Sequence, residues 1–398
     1  MNQRKLMLIL MVTACFMFSL LSRADEFNIQ SFNSTGQLTF STLNNGTNYN
    51  YQVEWAPTPA GPWSPFTGVG AWLNNNSAVA GSSVTNTVPM CYRVVATLGD
   101  YMVVDLSGGT NATEYPVSYY RTLADLPGGV GVNSDAYKTT NMVFRRIPAG
   151  TFMMGTPTNE LGRYDDETQH QVTLTQPFYI GVFEVTQKQW ERVMGTWPSY
   201  FTNASYRDSR PVEMMSYNAI RGASAGAGWP TNNYVDTVSF MGRLRARTGK
   251  VFDLPTESQF EYAGRAGTTT ALSSGKNLTA TVICPNISEV GRYIHNGGGS
   301  YAQNEDTSGA TAKVGSYLPN AWGLYDIHGN VWEFCLDWEG IYPGTVSDPV
   351  GAISGYRVVR GGGWLGSAFN CRTGCRGSGS LDIGYYYIGF RVALPQGQ

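Results

Sequence analysis

The last third of the chain, Gly267 to Gln398, constrains the fold most. It is dense in Gly and Asn, broken by short apolar runs, too irregular for a repeat array and too aromatic for disorder. Such a segment predicts a compact domain with little regular secondary structure. Its anchors would be Trp322, Trp332, Trp338 and Trp364, each carrying an indole N–H that needs an acceptor. Charged residues make up only 14% of the 398 residues, against about 25% in an average soluble protein. Lys and Arg number 27 and Asp and Glu 29, so no basic excess exists to neutralise phosphates, and nucleic-acid binding is not expected.

Upstream, Arg4 and Lys5 precede an apolar run that ends at Ser22-Arg23-Ala24, the pattern of a signal peptide spanning 1–24. The run falls short of the roughly 20 residues of a spanning helix, so no transmembrane anchor is expected. Val12-Thr13-Ala14-Cys15 also resembles a lipobox, although the apolar run continues past Cys15. Export to the periplasm, the cell surface or the medium is the expectation. Cleavage would leave Cys91, Cys284, Cys335, Cys371 and Cys375, an odd number, so at least one thiol would be free or paired between chains.

Residues 25–98 read as a small all-β, sandwich-like module. Tyr49, Tyr51, Val53 and Trp55 alternate with polar residues at strand period, and Asn44-Asn45-Gly46 would fold the strand at Leu38–Phe40 back onto them. Residues 99–140 suit a linker or lead-in, and a larger domain spans 141–398. Within it Thr186 with Gln189 and Thr256 with Gln259 fit capping boxes, each opening a short helix, and a third helix is expected over about 235–248, stopped by Gly249.

This larger domain resembles the sulfatase-modifying-factor family, the fold of formylglycine-generating enzymes. The resemblance rests on Arg146–Gly155, Tyr179–Gln187, Pro211–Asn218, Leu254–Ala263, Asn320–Phe334, Arg360–Trp364 and Ile388–Arg391, in that order. It implies an α+β domain related to C-type lectin-like domains, with much irregular loop, and a bacterial origin. It does not settle activity, because one scaffold hosts both chemistry and plain binding.

In the family's enzymes two cysteines five positions apart bind Cu(I) and oxidise a sulfatase cysteine to formylglycine. Soft Cu(I) favours two thiolates. Counted from Gly361-Gly-Gly-Trp364, the second position is Cys371 and the first is Gly366, which has no side chain. The resemblance therefore does not carry the copper site onto this chain, and Cu(I) is not expected. Cys375 offers a substitute thiol, which keeps as an alternative a formylglycine-generating oxidase using Cys371 and Cys375, with a sulfatase as partner. The resemblance also offers Cys371 as a structural cysteine paired with Cys335.

Other chemistries find less support. Asp165-Asp166-Glu167 near His170 reads as a solvated loop, and His328 takes a structural hydrogen-bonding role by the resemblance. No Gly-x-Ser-x-Gly elbow and no P-loop lysine are present. Three scattered His do not suit an iron site. The resemblance implies a Ca²⁺ site made by the carbonyls of Asp326, Gly329 and Val331 with the Glu333 carboxylate, and a second near Asn296, Gly297, Asp306 and Ser308. The expected function is an exported binding protein that meets a protein or glycan ligand through Trp364, Tyr385, Tyr386 and Tyr387, a stretch whose Tyr, Ser and Gly content resembles adaptable recognition loops.

Overall fold

The computed structural model describes residues 99–127, 132–297 and 309–395, together with seven strand segments between Ile29 and Leu98. The leader at 1–24, with Cys15, and Asp306 and Ser308 lie outside the described residues. No helix among the described residues is long and apolar enough to cross a membrane. The chain divides into a smaller unit, mainly Met1–Tyr101, and a larger one made chiefly of Met102–Val117 and Gly128–Gln396.

The smaller unit carries two sheets. Tyr49–Ala56 pairs antiparallel with Cys91–Leu98 along its whole length, from Tyr49 opposite Leu98 to Ala56 opposite Cys91. The strand Gln37–Ser41 does not fold back onto Tyr49–Ala56. It lies between Ile29–Phe32 and Ser83–Thr87 in the other sheet. A local turn signal does not choose the partner strand, and the Asn44–Gly46 signal itself lies outside the described residues.

In the larger unit, Ala393–Pro395, Phe178–Gly181, Asn141–Ile147 and Tyr101–Asp105 are successive neighbours in one sheet. Tyr101–Asp105, expected in a linker, is a strand with Met102, Val103 and Val104 buried. Both capping boxes form. Gln187–Met194 is capped by Thr186 with Gln189 and closed by left-handed Gly195, and Glu257–Arg265 by Thr256 with Gln259. The third helix is shorter than expected, Phe240–Thr248, because Ser239 supplies its N-cap; Gly249 ends it in the left-handed conformation. Trp190 stacks on Phe240 at 5.2 Å, and Phe390 meets both rings edge-on.

A second sheet runs in the order Arg376–Gly379, Arg357–Arg360, Trp332–Trp338, Ile388–Gly389. It places Glu333 opposite Arg360 and Trp332 opposite Ile388. Much of the scarce charge is buried inside this unit: Arg210, Arg221, Arg292, Arg357, Arg360, Arg372 and Arg391 are all fully buried. The reason is local. Irregular loops leave carbonyls without ladder partners, and a guanidinium brings five donors in a fixed fork. Arg357 donates to the carbonyls of Ala227, Trp229 and Leu336. Arg221 clamps Asp253 with bonds of 2.7 and 2.9 Å.

Candidate functional site

After the strand Arg357–Arg360 the chain turns through Gly361 and Gly362, with φ of +92° and +78° that favour glycine. A Cβ at Gly362 would lie 2.8 Å from the Cys371 sulfur, so the bare backbone lets the short 3-10 turn Ala368–Cys371 close onto it. Cys371 packs among Leu272, Cys284, Ile287, Val290 and Tyr293. Burial pushes its thiol far above the ordinary range, and neighbouring Cys375 pushes it further; the Gly363 N–H offsets only part. Burial likewise pushes the Cys375 thiol up to about 12. Cys335 is raised by burial and then by Asp337 and Glu257. These three thiols hold their protons at neutral pH, the opposite of a thiolate poised for metal or nucleophilic work. Cys284, Cys335, Cys371 and Cys375 are all free and buried, so the Cys335–Cys371 pairing offered by the resemblance is not formed.

His328 is fixed from both sides. Its Nδ1 donates to the Cys371 carbonyl at 2.7 Å, because a carbonyl only accepts, and Nε2 accepts from the Ser273 N–H at 3.0 Å. Burial lowers its pKa to about 4, so it is a neutral strut.

The Gly366 position opens onto a cleft of about 150 Å³ lined by Trp332, Gly363, Leu365, Gly366, Asn370 and Tyr387. The Trp332 indole lies over Gly363 and Gly377, where added Cβ atoms would come within 3.2 Å of it. Tyr387 is tied to the same edge by the Trp332 N–H, which donates to its carbonyl at 2.8 Å. Tyr385 and Tyr387 stack at 5.3 Å and 24°, and Tyr386 contacts exposed Tyr200 at 5.7 Å. Trp364 departs from expectation. It is 3% exposed, packs on Phe201 at 5.4 Å, and donates its indole N–H to the Tyr386 carbonyl at 3.1 Å. It supports the tyrosine strip from beneath, because its N–H finds its acceptor only inward. Sequence reasoning placed Trp332 among the core anchors and did not single out Leu365 or Asn370 in this cleft, nor Tyr200 beside the strip. Trp332 alone had a signal, its place in the Gly-Asn-x-Trp motif.

Three of the residues assigned to calcium, Glu333, Asn296 and Gly297, are engaged by guanidinium groups. Both Glu333 oxygens accept from Arg391 at 2.6 Å, and all of these groups are fully buried. The Asn296 and Gly297 carbonyls accept from Arg292 at 3.2 and 3.0 Å. Asp326 takes the Gly315 N–H on one oxygen and keeps the other, Oδ1, buried without a partner. Among the described residues no three His, Cys, Asp or Glu side chains converge on a metal position. In this arrangement the Glu333 carboxylate and the Asn296 and Gly297 carbonyls serve arginines.

In the acidic run near His170, Asp165 and Asp166 are exposed, as in a solvated loop, and Glu167 departs from that reading. Glu167 is fully buried and accepts both terminal nitrogens of Arg372 at 2.7 Å, and Arg372 reaches Glu160 at 2.8 Å as well. His170 packs against Tyr342 at 4.4 Å, the rings tilted by 43°, beside a 20 Å³ cavity, room for about one water, lined in part by Glu257, Asp337 and Arg376. Burial and then the Glu257 carboxylate push Asp337 up to about 8. The native chain thus holds a proton that the unfolded chain releases near pH 4, and this stabilisation is lost as pH rises toward 8. Asp337→Asn, which keeps an acceptor for the Glu257 N–H at Asp337 Oδ2 (2.7 Å), is expected to flatten that fall. Urea denaturation from pH 5 to 9 checks it, and parallel profiles for the two proteins would refute the assignment.

Residues 131–395 match the family model described as sulfatase-modifying factor enzyme 1-like domain. The chain is 32% identical over 220 residues to the chaperone protein LppX of Paenibacillus barcinonensis, covering 49% of this chain and 72% of the relative. It is 30% identical over 286 residues to the formylglycine-generating enzyme of Streptomyces coelicolor, covering 62% and 88%. Among solved structures, Treponema denticola variable protein 1 superposes with a TM-score of 0.51 at 26% identity, over 67% of this chain and 97% of that one. With the motif order, the mixed sheets and helices and a match over two thirds of its length, the chain belongs to the sulfatase-modifying-factor, formylglycine-generating-enzyme-like family.

Proposed function

We propose that this chain is an exported binding member of its family that works without the copper oxidase chemistry, recognising a ligand through the cleft at Gly366 and the strip Tyr385–Tyr387. One observation carries the reading: where the resemblance puts the first copper thiol there is a glycine, and that glycine lines an open, aromatic-walled cleft. The second thiol, Cys371, is buried and held protonated. Half-buried tyrosines beside a small cleft give contact area at low entropic cost, the composition of recognition surfaces. The likeness to a relative named as a chaperone supports a binding role.

Glycan and peptide arrays probed with the labelled protein test the reading. A ligand class retained by the wild type and lost in Tyr387→Ala is expected, with about a tenfold weaker midpoint in solution. Equal signals from both proteins, or conversion of a sulfatase-derived cysteine peptide to formylglycine, would contradict it and restore the oxidase alternative.

A further inference from the structure

The cleft's dimensions and chemistry narrow its occupant, given the binding role proposed for it. A cavity of about 150 Å³ is the size that holds one six-membered ring. None of the six residues lining it is charged, so neither an anion nor a cation finds a counter-charge there. The lining is two-faced. Tyr387, Trp332 and Leu365 supply apolar and aromatic surface. Asn370 supplies a polar edge: its side-chain oxygen accepts the Ser367 N–H at 3.2 Å, while its side-chain NH₂ donates to nothing among the described residues. At Gly366 an added Cβ would crowd the lining, meeting Asn370 and the Gly363 carbonyl at 3.2–3.3 Å.

We propose that this cleft takes a single neutral saccharide ring, the terminal residue of a glycan. A pyranose has the matching asymmetry. Its axial C–H bonds carry partial positive charge and lie well on the electron-rich face of an aromatic ring, while its equatorial hydroxyls turn outward as acceptors and donors. Tyr387 and Trp332 meet the C–H side and the Asn370 NH₂ donates to a ring hydroxyl. The surface then continues in one direction: Tyr386 lies 5.7 Å from Tyr200, which is 46% exposed. That pair offers a platform for the next sugar of the chain. A peptide would place its recognition elsewhere, in a row of backbone bonds along a strand edge or in side-chain pockets repeated at strand spacing, whereas here there is one ring-sized cleft.

The test is saturation-transfer NMR on the full chain with the methyl glycosides of glucose, galactose and mannose, N-acetylglucosamine, and the disaccharides lactose and cellobiose. Sodium glucuronate and a proline-rich peptide run in parallel. Saturation of one face of a neutral ring is expected. Tyr387→Ala should weaken it about tenfold, Tyr387→Phe should keep it, and Gly366→Leu should remove it. Tyr200→Ala should weaken a disaccharide and leave the methyl glycoside unchanged. Circular dichroism of each variant shows whether it folds, and Tyr387→Phe keeps the test decisive if Gly366→Leu does not. Silence of every neutral sugar overturns the saccharide assignment. If the peptide or glucuronate then binds in a Tyr387-dependent way, the binding role stands without the sugar; if array ligands also prove independent of Tyr387, both fall.

Discussion

Arg391→Met is expected to destabilise the larger unit by about 3–5 kcal/mol, the range for removing one partner of a buried ion pair. The guanidinium is fully buried and holds both oxygens of equally buried Glu333, and it also donates to the Gly181 and Tyr325 carbonyls at 3.2 and 3.1 Å. Glu184 and Asp326 lie in the same cluster, and burial followed by their mutual repulsion already raises Glu184 well above the carboxylate range. Methionine fills much of the arginine volume, so the loss comes from stranded charge more than from a cavity. Without Arg391 the native acids bind protons that the unfolded chain has released, so the deficit grows as pH rises above about 4.5. Adding Glu333→Leu to the variant should recover a large part of the loss. Urea denaturation monitored by tryptophan fluorescence reads both effects; a loss under about 1 kcal/mol for the single variant would contradict the assignment.

Gly384→Ala is expected to cost about 2 kcal/mol, in the range of overpacking a close contact, and to abolish ligand binding. A Cβ there would stand 2.0 Å from the Met214 carbonyl oxygen, which is backbone and cannot swing aside. Met214 is itself held at φ +64°, and its N–H donates to the Tyr385 carbonyl at 3.0 Å. The Asn218 N–H reaches the Leu381 carbonyl at 3.0 Å from the same stretch. One added methyl therefore moves the segment that presents Tyr385, Tyr386 and Tyr387. Ser378→Ala, on an exposed residue of the adjacent strand, serves as the control and should leave both stability and binding unchanged. Equal binding by Gly384→Ala and wild type would mean that the tyrosine strip does not contact ligand.

What the sequence made legible was local. Thr186 with Gln189 and Thr256 with Gln259 each meet within one turn, so spacing alone located both helix starts. Family order located the glycine turn and the Gly366 position. What stayed hidden depends on distant partners. Glu167 is buried because Arg372, 205 residues away, reaches it; no pattern around 165–167 carries that. Tyr200 belongs to the tyrosine strip only through its contact with Tyr386, and Trp364 turned inward because its N–H acceptor is a carbonyl in that strip. Glu333 fits a metal ligand by motif, yet Arg391, supplied by the Ile388–Arg391 motif, takes both its oxygens. Each motif is legible separately, and their pairing is a property of the fold.

On the proposed reading, Gly366 and a buried, protonated Cys371 leave this member without the two-thiol copper centre. This claim is tested most directly by titrating the native protein with Cu(I) against a chromogenic chelator, with thiol labelling and mass spectrometry of the cysteine peptides afterwards. We expect no copper to be retained, and Cys371 and Cys375 to resist labelling until the chain is unfolded. One copper per chain, with Cys371 and Cys375 protected only while it is bound, would contradict the claim.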